Sequence, residues 1–478
     1  MPLSYAKLLA AACGLASTAS ALHPLVVEGK DFVNSVTKDR FQIIGVDYQP
    51  GGSAAFKKTA DPLSDKDTCL RDAAVLQRLG VNAIRVYNLA PSADHDACAS
   101  IFNAAGIYMF LDVNSPLTNG ALDQTAPWTT YNHFYMQQVF GVIEAFKNYP
   151  NTAAFFSANE VISESSTENA GIYIRAVQRD MHQYIEKHAN RSIPVGYSAA
   201  DVRPLLVDTA YYLSCNLENS TESRSDFFGL NSYSWCGDAT YTSSGYNVLT
   251  QDFKDISMPV FFSETGCNNV KPRVFSEIEA IYGPDMSSSL SGALVYEYSQ
   301  EANDYGLVVI NSNGSVSLRV DYDNLQKQYN KLDLKAITQS NSSQTSMNAP
   351  TCNPDEITSN ITKSFDIPKQ VDGIDKLIAN GYTTDVHVGQ LVDVTSTTPS
   401  QQVYDTNGNI ISGIKLNVLS DDATNTPSNT TTSGSTSSSG TTTSGSSAAA
   451  TSSGAASSLT AGSMTGIGGL LAFALMAL

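Results

Sequence analysis

The stretch TAAFFSANE, residues 152–160, decides the fold. From Ala153 to Phe156 it is apolar on both alternating faces, as a parallel strand buried on both sides requires, and it is too short for a buried helix. Polarity then switches on at Asn159 and Glu160. A second stretch, MPVFFSE at 258–264, repeats the pattern and ends on Glu264, 104 residues after Glu160. No single helix or hairpin spans that interval, so only a tertiary fold can unite the two carboxylates.

Working outward from these two, six more runs of similar character predict strands: FQIIGVDY (41–48), NAIRVY (82–87), IYMFLDV (107–113), IPVGYSA (193–199), DFFGLNSY (226–233) and GALVYEYS (292–299). Helix-length segments separate them. DTCLRDAAVLQRLG (67–80) is one, with Cys69, Ala73 and Leu76 on one face and Gly80 in the position that closes a helix. Eight strands alternating with helices predict an α/β fold, a (β/α)8 TIM barrel, over residues 22–340.

Active sites of such barrels gather at the C-terminal ends of the strands, where both glutamates fall. Two carboxyl groups facing one pocket are what glycosidic cleavage needs, one to protonate the leaving oxygen and one to meet the developing oxocarbenium carbon. The proton donor must keep its proton near neutrality, and a second carboxylate nearby raises its pKa. Asn159 can bond a sugar 2-hydroxyl. Other strand ends are polar and aromatic as a sugar cleft requires: Gln49, Arg85, Tyr87, Asp112, Asp201, Arg203, Tyr233 and Tyr296.

The net charge of −18 excludes a nucleic-acid partner, which needs clustered Lys and Arg. Residues 1–21 read as a signal peptide, with Lys7, an apolar run and small residues at Ala19 and Ala21. Six cysteines follow it, Cys69, Cys98, Cys215, Cys236, Cys267 and Cys352. An even count in an oxidising compartment predicts three disulfides, with fifteen pairings open, and no C-x-x-C pair suggests a metal. No cofactor is expected. Asn190, Asn219, Asn313, Asn341, Asn360 and Asn429 head glycosylation sequons. Residues 341–421 read as a small β-containing appendage with strand candidates QLVDVTS (390–396) and IKLNVLS (414–420). Residues 422–462 are a Ser/Thr/Gly-rich stalk. Ser453, Gly454 and Ala455, near the middle of an attachment region at 452–457, precede an apolar tail at 463–478. That order fits a GPI signal, which makes the anchor the chain's one link to a membrane.

RVYN (85–88), FFSANE (155–160), NSYSWCG (231–237), FFSETGCN (261–268) and VYEYSQEANDYGLV (295–308) resemble glycoside hydrolase family 72, the fungal GPI-anchored β-1,3-glucanosyltransferases of the Gas, Gel and Phr type. The resemblance runs from about residue 25 to 340. It implies a retaining enzyme that cleaves β-1,3-glucan internally and transfers the new reducing end to the non-reducing end of another glucan. It assigns Glu160 as acid/base and Glu264 as nucleophile, with Tyr233 bonded to Glu264. Tyr87, Asn159 and Tyr296 would hold the donor chain, and Asp201 and Arg203 would lie toward the acceptor. It also implies the pairs Cys69–Cys98, Cys236–Cys267 and Cys215–Cys352. With Cys352 the last cysteine, the chain resembles the subgroup without a Cys-rich carbohydrate-binding module. Thr265, where many relatives have Tyr, is a local departure. A monomer acting on glucan donor and acceptor is the expectation. A hydrolase that lets water resolve the intermediate is the alternative. A non-catalytic glucan-binding wall protein would be expected to have lost one Glu, and both are present.

Overall fold

The computed structural model describes residues 22–339 and 341–428. The signal peptide, Asn429, the attachment region, the apolar tail and all but the first residues of the stalk lie outside the described residues. Among the described residues no helix is long and apolar enough to cross a membrane.

The chain opens with a small antiparallel sheet, β1 (Leu25–Glu28), β2 (Asp31–Asn34) and β3 (Arg40–Phe41). Eight parallel strands follow: β4 (Ile43–Asp47), β5 (Ala83–Val86), β6 (Tyr108–Asp112), β7 (Thr152–Asn159), β8 (Val195–Ala200), β9 (Phe227–Asn231), β10 (Val260–Thr265) and β11 (Gly292–Val295). They pair in sequence order, and β11 closes on β4 to complete the barrel. All eight fall within or within a residue of the stretches read from sequence. The opening sheet was not foreseen. Its Phe32 packs edge-on against Phe110 of β6, centroids 5.6 Å apart, and against Phe261 of β10 at 5.9 Å. These rings, with Phe156 and Phe227, form an apolar core inside the barrel. Such burial contributes roughly 2 kcal/mol or more per side chain.

Helices cover the outside of the barrel. In the helix Lys66–Leu79, Asp65 caps the first turn by accepting from the Thr68 N–H at 2.7 Å. Gly80, at φ 96°, closes it through bonds to Leu76 and Gln77 carbonyls, as its sequence position predicts. Cys69–Cys98 ties this helix to the next, Asp96–Ala104.

After β11 come the hairpin β12 (Val308–Ile310) and β13 (Val316–Leu318) and the helix Val320–Tyr329. Residues 341–428 then behave as a belt. Asn216 donates to the Pro350 carbonyl at 2.8 Å and Cys352 is disulfide-bonded to Cys215. The belt next crosses the helix Arg203–Ser214 (Thr358 N–H to Asp208, 2.8 Å) and the helix Gly171–His188 (Gln370 to Asp180, 2.9 Å). It goes on to His133–Phe146 (Gly389 N–H to the Ala145 carbonyl, 3.2 Å), Asp96–Ala104 (Val392 N–H to Ser100, 2.8 Å) and Lys66–Leu79 (Asn417 N–H to Gln77, 2.7 Å). The barrel helices are thus visited in reverse chain order.

The strand candidates at 390–396 and 414–420 form no strand, and the one strand of this region is β14 (Val403–Tyr404), paired with β13. Leu391 and Val394, like Ile414 and Leu416, pack inward on the helices, while Val392 and Val418 face solvent. The segment is extended, and its amides turn to the helices, those of Gln390, Val392 and Asn417 to the side chains of Asp96, Ser100 and Gln77 and that of Leu419 to the Ala104 carbonyl, while Leu416 donates to the Thr397 carbonyl. Asn190, Asn219, Asn313, Asn341 and Asn360 are all exposed.

Candidate active site

The two Phe-Phe-Ser runs carry their side chains in opposite phase. In β7 Phe156 joins the core inside the barrel and Phe155 packs outward on the helices; in β10 Phe261 lies inside and Phe262 outside. Counted from the inward ring, Asn159 and Glu264 hold equivalent positions. Both strands shift register just before them, between Phe156 and Ala158 and between Phe262 and Glu264. Such a bulge re-aims the residues beyond it, here toward the barrel mouth. Glu160 follows one residue later in left-handed backbone, φ 51°. This strained turn is held on both sides, because the Glu160 N–H donates to the Ser198 carbonyl at 2.8 Å and Gln124 Nε2 donates to the Glu160 carbonyl at 3.0 Å.

Arg85 of β5 organises the site. Its Nε and Nη2 donate to the two oxygens of Asp112 at 3.0 and 3.3 Å, so Asp112, buried at the end of β6, fixes the guanidinium. Nη1 reaches Glu264 Oε1 at 3.4 Å and Nη2 reaches Asn159 Oδ1 at 2.9 Å. Asn231, at the end of β9, donates to Asn159 Oδ1 at 3.1 Å and to Glu160 Oε1 at 2.9 Å. Its own Oδ1 accepts from Ser198 and Ser263, which fixes the amide orientation. Arg85, Asn159 and Asn231 therefore link the two glutamates into one network.

Glu264 also accepts from Tyr87 at 3.0 Å and from Tyr233 at 2.7 Å, one phenol on each oxygen. Burial pushes its carboxyl up to about 7, and the charge of Glu160 adds to this; Arg85, Tyr233 and Tyr87 pull it back down. The sequence argument expected the raised pKa on the proton donor. Burial raises the carboxyl of Glu264, the residue that the resemblance casts as nucleophile. Burial likewise holds Tyr87 and Tyr233 well above the ordinary phenol range, so both remain donors.

Around these groups Tyr296 meets Tyr87 and Tyr233 at 6.4 and 6.3 Å, and Tyr305 meets Tyr233 and Tyr296 at 5.4 and 5.3 Å. The result is a continuous aromatic wall. Gln49 is buried, its Oε1 accepting from the Tyr87 and Asn88 N–H groups, while its Nε2 meets no acceptor in the protein. On the opposite side Arg203 is forked onto Asp201, which also accepts from Ser232 at 2.6 Å, next in chain to Tyr233. The disulfide Cys236–Cys267 joins the segments that follow Tyr233 and Glu264, and with Cys69–Cys98 and Cys215–Cys352 it makes the three pairs that the resemblance implies.

A family model for glucanosyltransferases, glycoside hydrolase family 72, matches residues 14–333. The chain belongs to family 72. It is 61% identical over 425 residues to 1,3-beta-glucanosyltransferase gel2 of Aspergillus fumigatus, covering 89% of each chain. It is 41% identical over 377 residues to 1,3-beta-glucanosyltransferase GAS4 of Saccharomyces cerevisiae, covering 78% of this chain and 80% of that one. A solved variant of Saccharomyces cerevisiae Gas2, in complex with laminaritetraose and laminaripentaose, superposes with a TM-score of 0.63. That match is at 34% identity and covers 73% of this chain and 75% of that one.

Three groups in this family 72 site escaped the sequence reading. Asn231 sits within the quoted NSYSWCG but was not singled out. Tyr305 lies in a loop. Asp47 ends β4 fully buried, and burial and the facing Glu264 push its carboxyl well above the usual range. An aspartate inside the apolar run IIGVDY was the available signal for the last.

Proposed function

We propose that the protein is a retaining β-1,3-glucanosyltransferase. The observation that carries this reading is the pair of glutamates on one hydrogen-bonded network, Glu264 held by two phenols and a guanidinium, Glu160 held by Asn231. Glu160 protonates the oxygen that leaves as the internal glucan bond breaks, while Glu264 attacks the anomeric carbon and the covalent glycosyl-enzyme forms. The hydroxyl at the non-reducing end of a second glucan then attacks, and Glu160 takes up its proton.

Tyr87, Tyr296, Asn159 and Gln49 hold the donor. The unpartnered Gln49 Nε2 supports this, since a buried donor seeks an acceptor such as a sugar hydroxyl. Asp112 contributes by fixing Arg85. Asp201 and Arg203 border the acceptor side, where a positioned sugar hydroxyl outcompetes water by proximity. Residues 1–21 act as the leader, and attachment of a GPI anchor near Ser453, Gly454 or Ala455 places a monomeric enzyme at the outer cell surface and wall.

Reduced laminarioligosaccharides incubated with the purified protein test the reading. Products both shorter and longer than the input are expected; shorter products alone at high substrate concentration would make it an endo-β-1,3-glucanase. Glu264→Gln abolishes both product classes if Glu264 is the nucleophile.

A further inference from the structure

The chain has two tryptophans, and they are treated oppositely. Trp235 is buried, its indole N–H bonded to Ser276 at 2.8 Å. Trp128 is 60% exposed. It stands in LTNGALDQTAPWTT (117–130), within the connection between β6 and the helix His133–Phe146, at the same end of the barrel as the glutamates. This connection is tightly built. Asp123 accepts from the N–H groups of Thr125 and Ala126 at 2.9 and 2.7 Å, and its own N–H donates to Thr130 Oγ1 at 2.7 Å. Leu122 and Tyr131 are buried beneath it, Tyr131 bonded to Asp180 at 2.6 Å. Four residues before Trp128, Gln124 is bonded to the Glu160 carbonyl, so the indole is carried on a loop fastened to the proton donor's own turn.

An indole held in water on an ordered loop is a ready-made platform, because the ordering cost of binding is already met. The occupant that fits is a pyranose ring. Its C–H face is apolar enough to cover the indole, and its hydroxyls stay in water beside Gln124 and Thr129. We infer that Trp128 forms an outlying subsite for the donor β-1,3-glucan, beyond the sugars held at Glu264. The donor side follows from the barrel order, since β6 lies between β5, which leads into Tyr87, and β7, which carries Asn159, both assigned to the donor, whereas β8, which leads into Asp201 and Arg203, is one strand farther round. This inference rests on the glucan reading above.

The test compares wild type, Trp128→Ala and Trp128→Phe on reduced laminarioligosaccharides of increasing length. Trp128→Ala is expected to lose about tenfold in kcat/KM on the longest donors, through KM, and progressively less on shorter ones. Trp128→Phe retains most of the long-donor advantage, and all three proteins melt at the same temperature. In the Glu264→Gln background, long oligosaccharides shift the tryptophan fluorescence, and this shift disappears in Trp128→Ala. An unchanged length profile, or a changed acceptor dependence alone, overturns the assignment. If wild type acts on no laminarioligosaccharide but Trp128 still reports their binding, the transferase reading fails and the subsite stands; if neither occurs, both fail.

Discussion

Glu264 shows how a residue's neighbours set its chemistry. A nucleophile must be ionised, yet burial raises its pKa. Tyr233 offsets part of that cost with a 2.7 Å bond that favours the charged form. Tyr233→Phe removes the bond and leaves the ring. The Glu264 pKa then rises further, so the acidic limb of the pH profile of kcat/KM moves to higher pH. Activity falls about tenfold to a hundredfold at acid pH and less toward alkaline pH, in line with the roughly 1.5–3 kcal/mol of a charge-assisted hydrogen bond. A pH profile lowered equally everywhere, with its limb in place, would assign Tyr233 to substrate contact alone. This residue was legible in the sequence because an aromatic closed a strand. Asn231 was not, because nothing in one sequence distinguishes an asparagine that holds Glu160 and ties it to Asn159 from one that caps a turn.

Among the elements, β9 and β10 bear on the site as a pair. Tyr233 lies just past the end of β9 and Glu264 on the neighbouring β10, and three residues beyond each the chain is cross-linked by Cys236–Cys267. The Cys236→Ala, Cys267→Ala double variant should lower stability by about 3 kcal/mol, measured by denaturant unfolding. Its kcat should fall as well, with the same shift in pH profile that Tyr233→Phe gives, since a loosened Tyr233 is a weaker donor. Loss of stability with an intact profile would make the disulfide a structural staple only. The strands themselves were readable because burial on both faces leaves a nearly continuous apolar run. The bulges before Asn159 and Glu264 were not, since register is a property of two strands and the repeated Phe-Phe-Ser conceals that its two copies are out of phase. The sheet β1–β3 was missed for a similar reason: a short hairpin that plugs a barrel has no helix after it to mark the rhythm.

At the scale of the molecule, the belt decides whether the barrel can stand alone. Residues 341–421 break the strand–helix rhythm and offer only short strand candidates, so the sequence suggested an appendage; in the structure residues 341–428 cover five barrel helices. Ile357, Ile361, Ile374, Val403 and Leu416 are each no more than 2% exposed, and Phe365 stacks on Tyr212 at 4.8 Å. At roughly 2 kcal/mol for each buried aliphatic side chain, the five contribute on the order of 10 kcal/mol, as much as the net stability of a typical domain. The path ends tightly: a β-carbon added at Gly80 would lie 2.6 Å from the Pro427 α-carbon, and one at Gly106 2.6 Å from the Asn425 nitrogen. A chain stopped after residue 340 should therefore fail to accumulate as soluble protein, or melt far below the full chain. One stopped after Ser428 should melt with it, because every one of these contacts remains. Differential scanning calorimetry of the two truncations decides the matter. A 340-residue form as stable as the full chain would mean that the barrel helices need no cover and that the belt is a passenger on the fold.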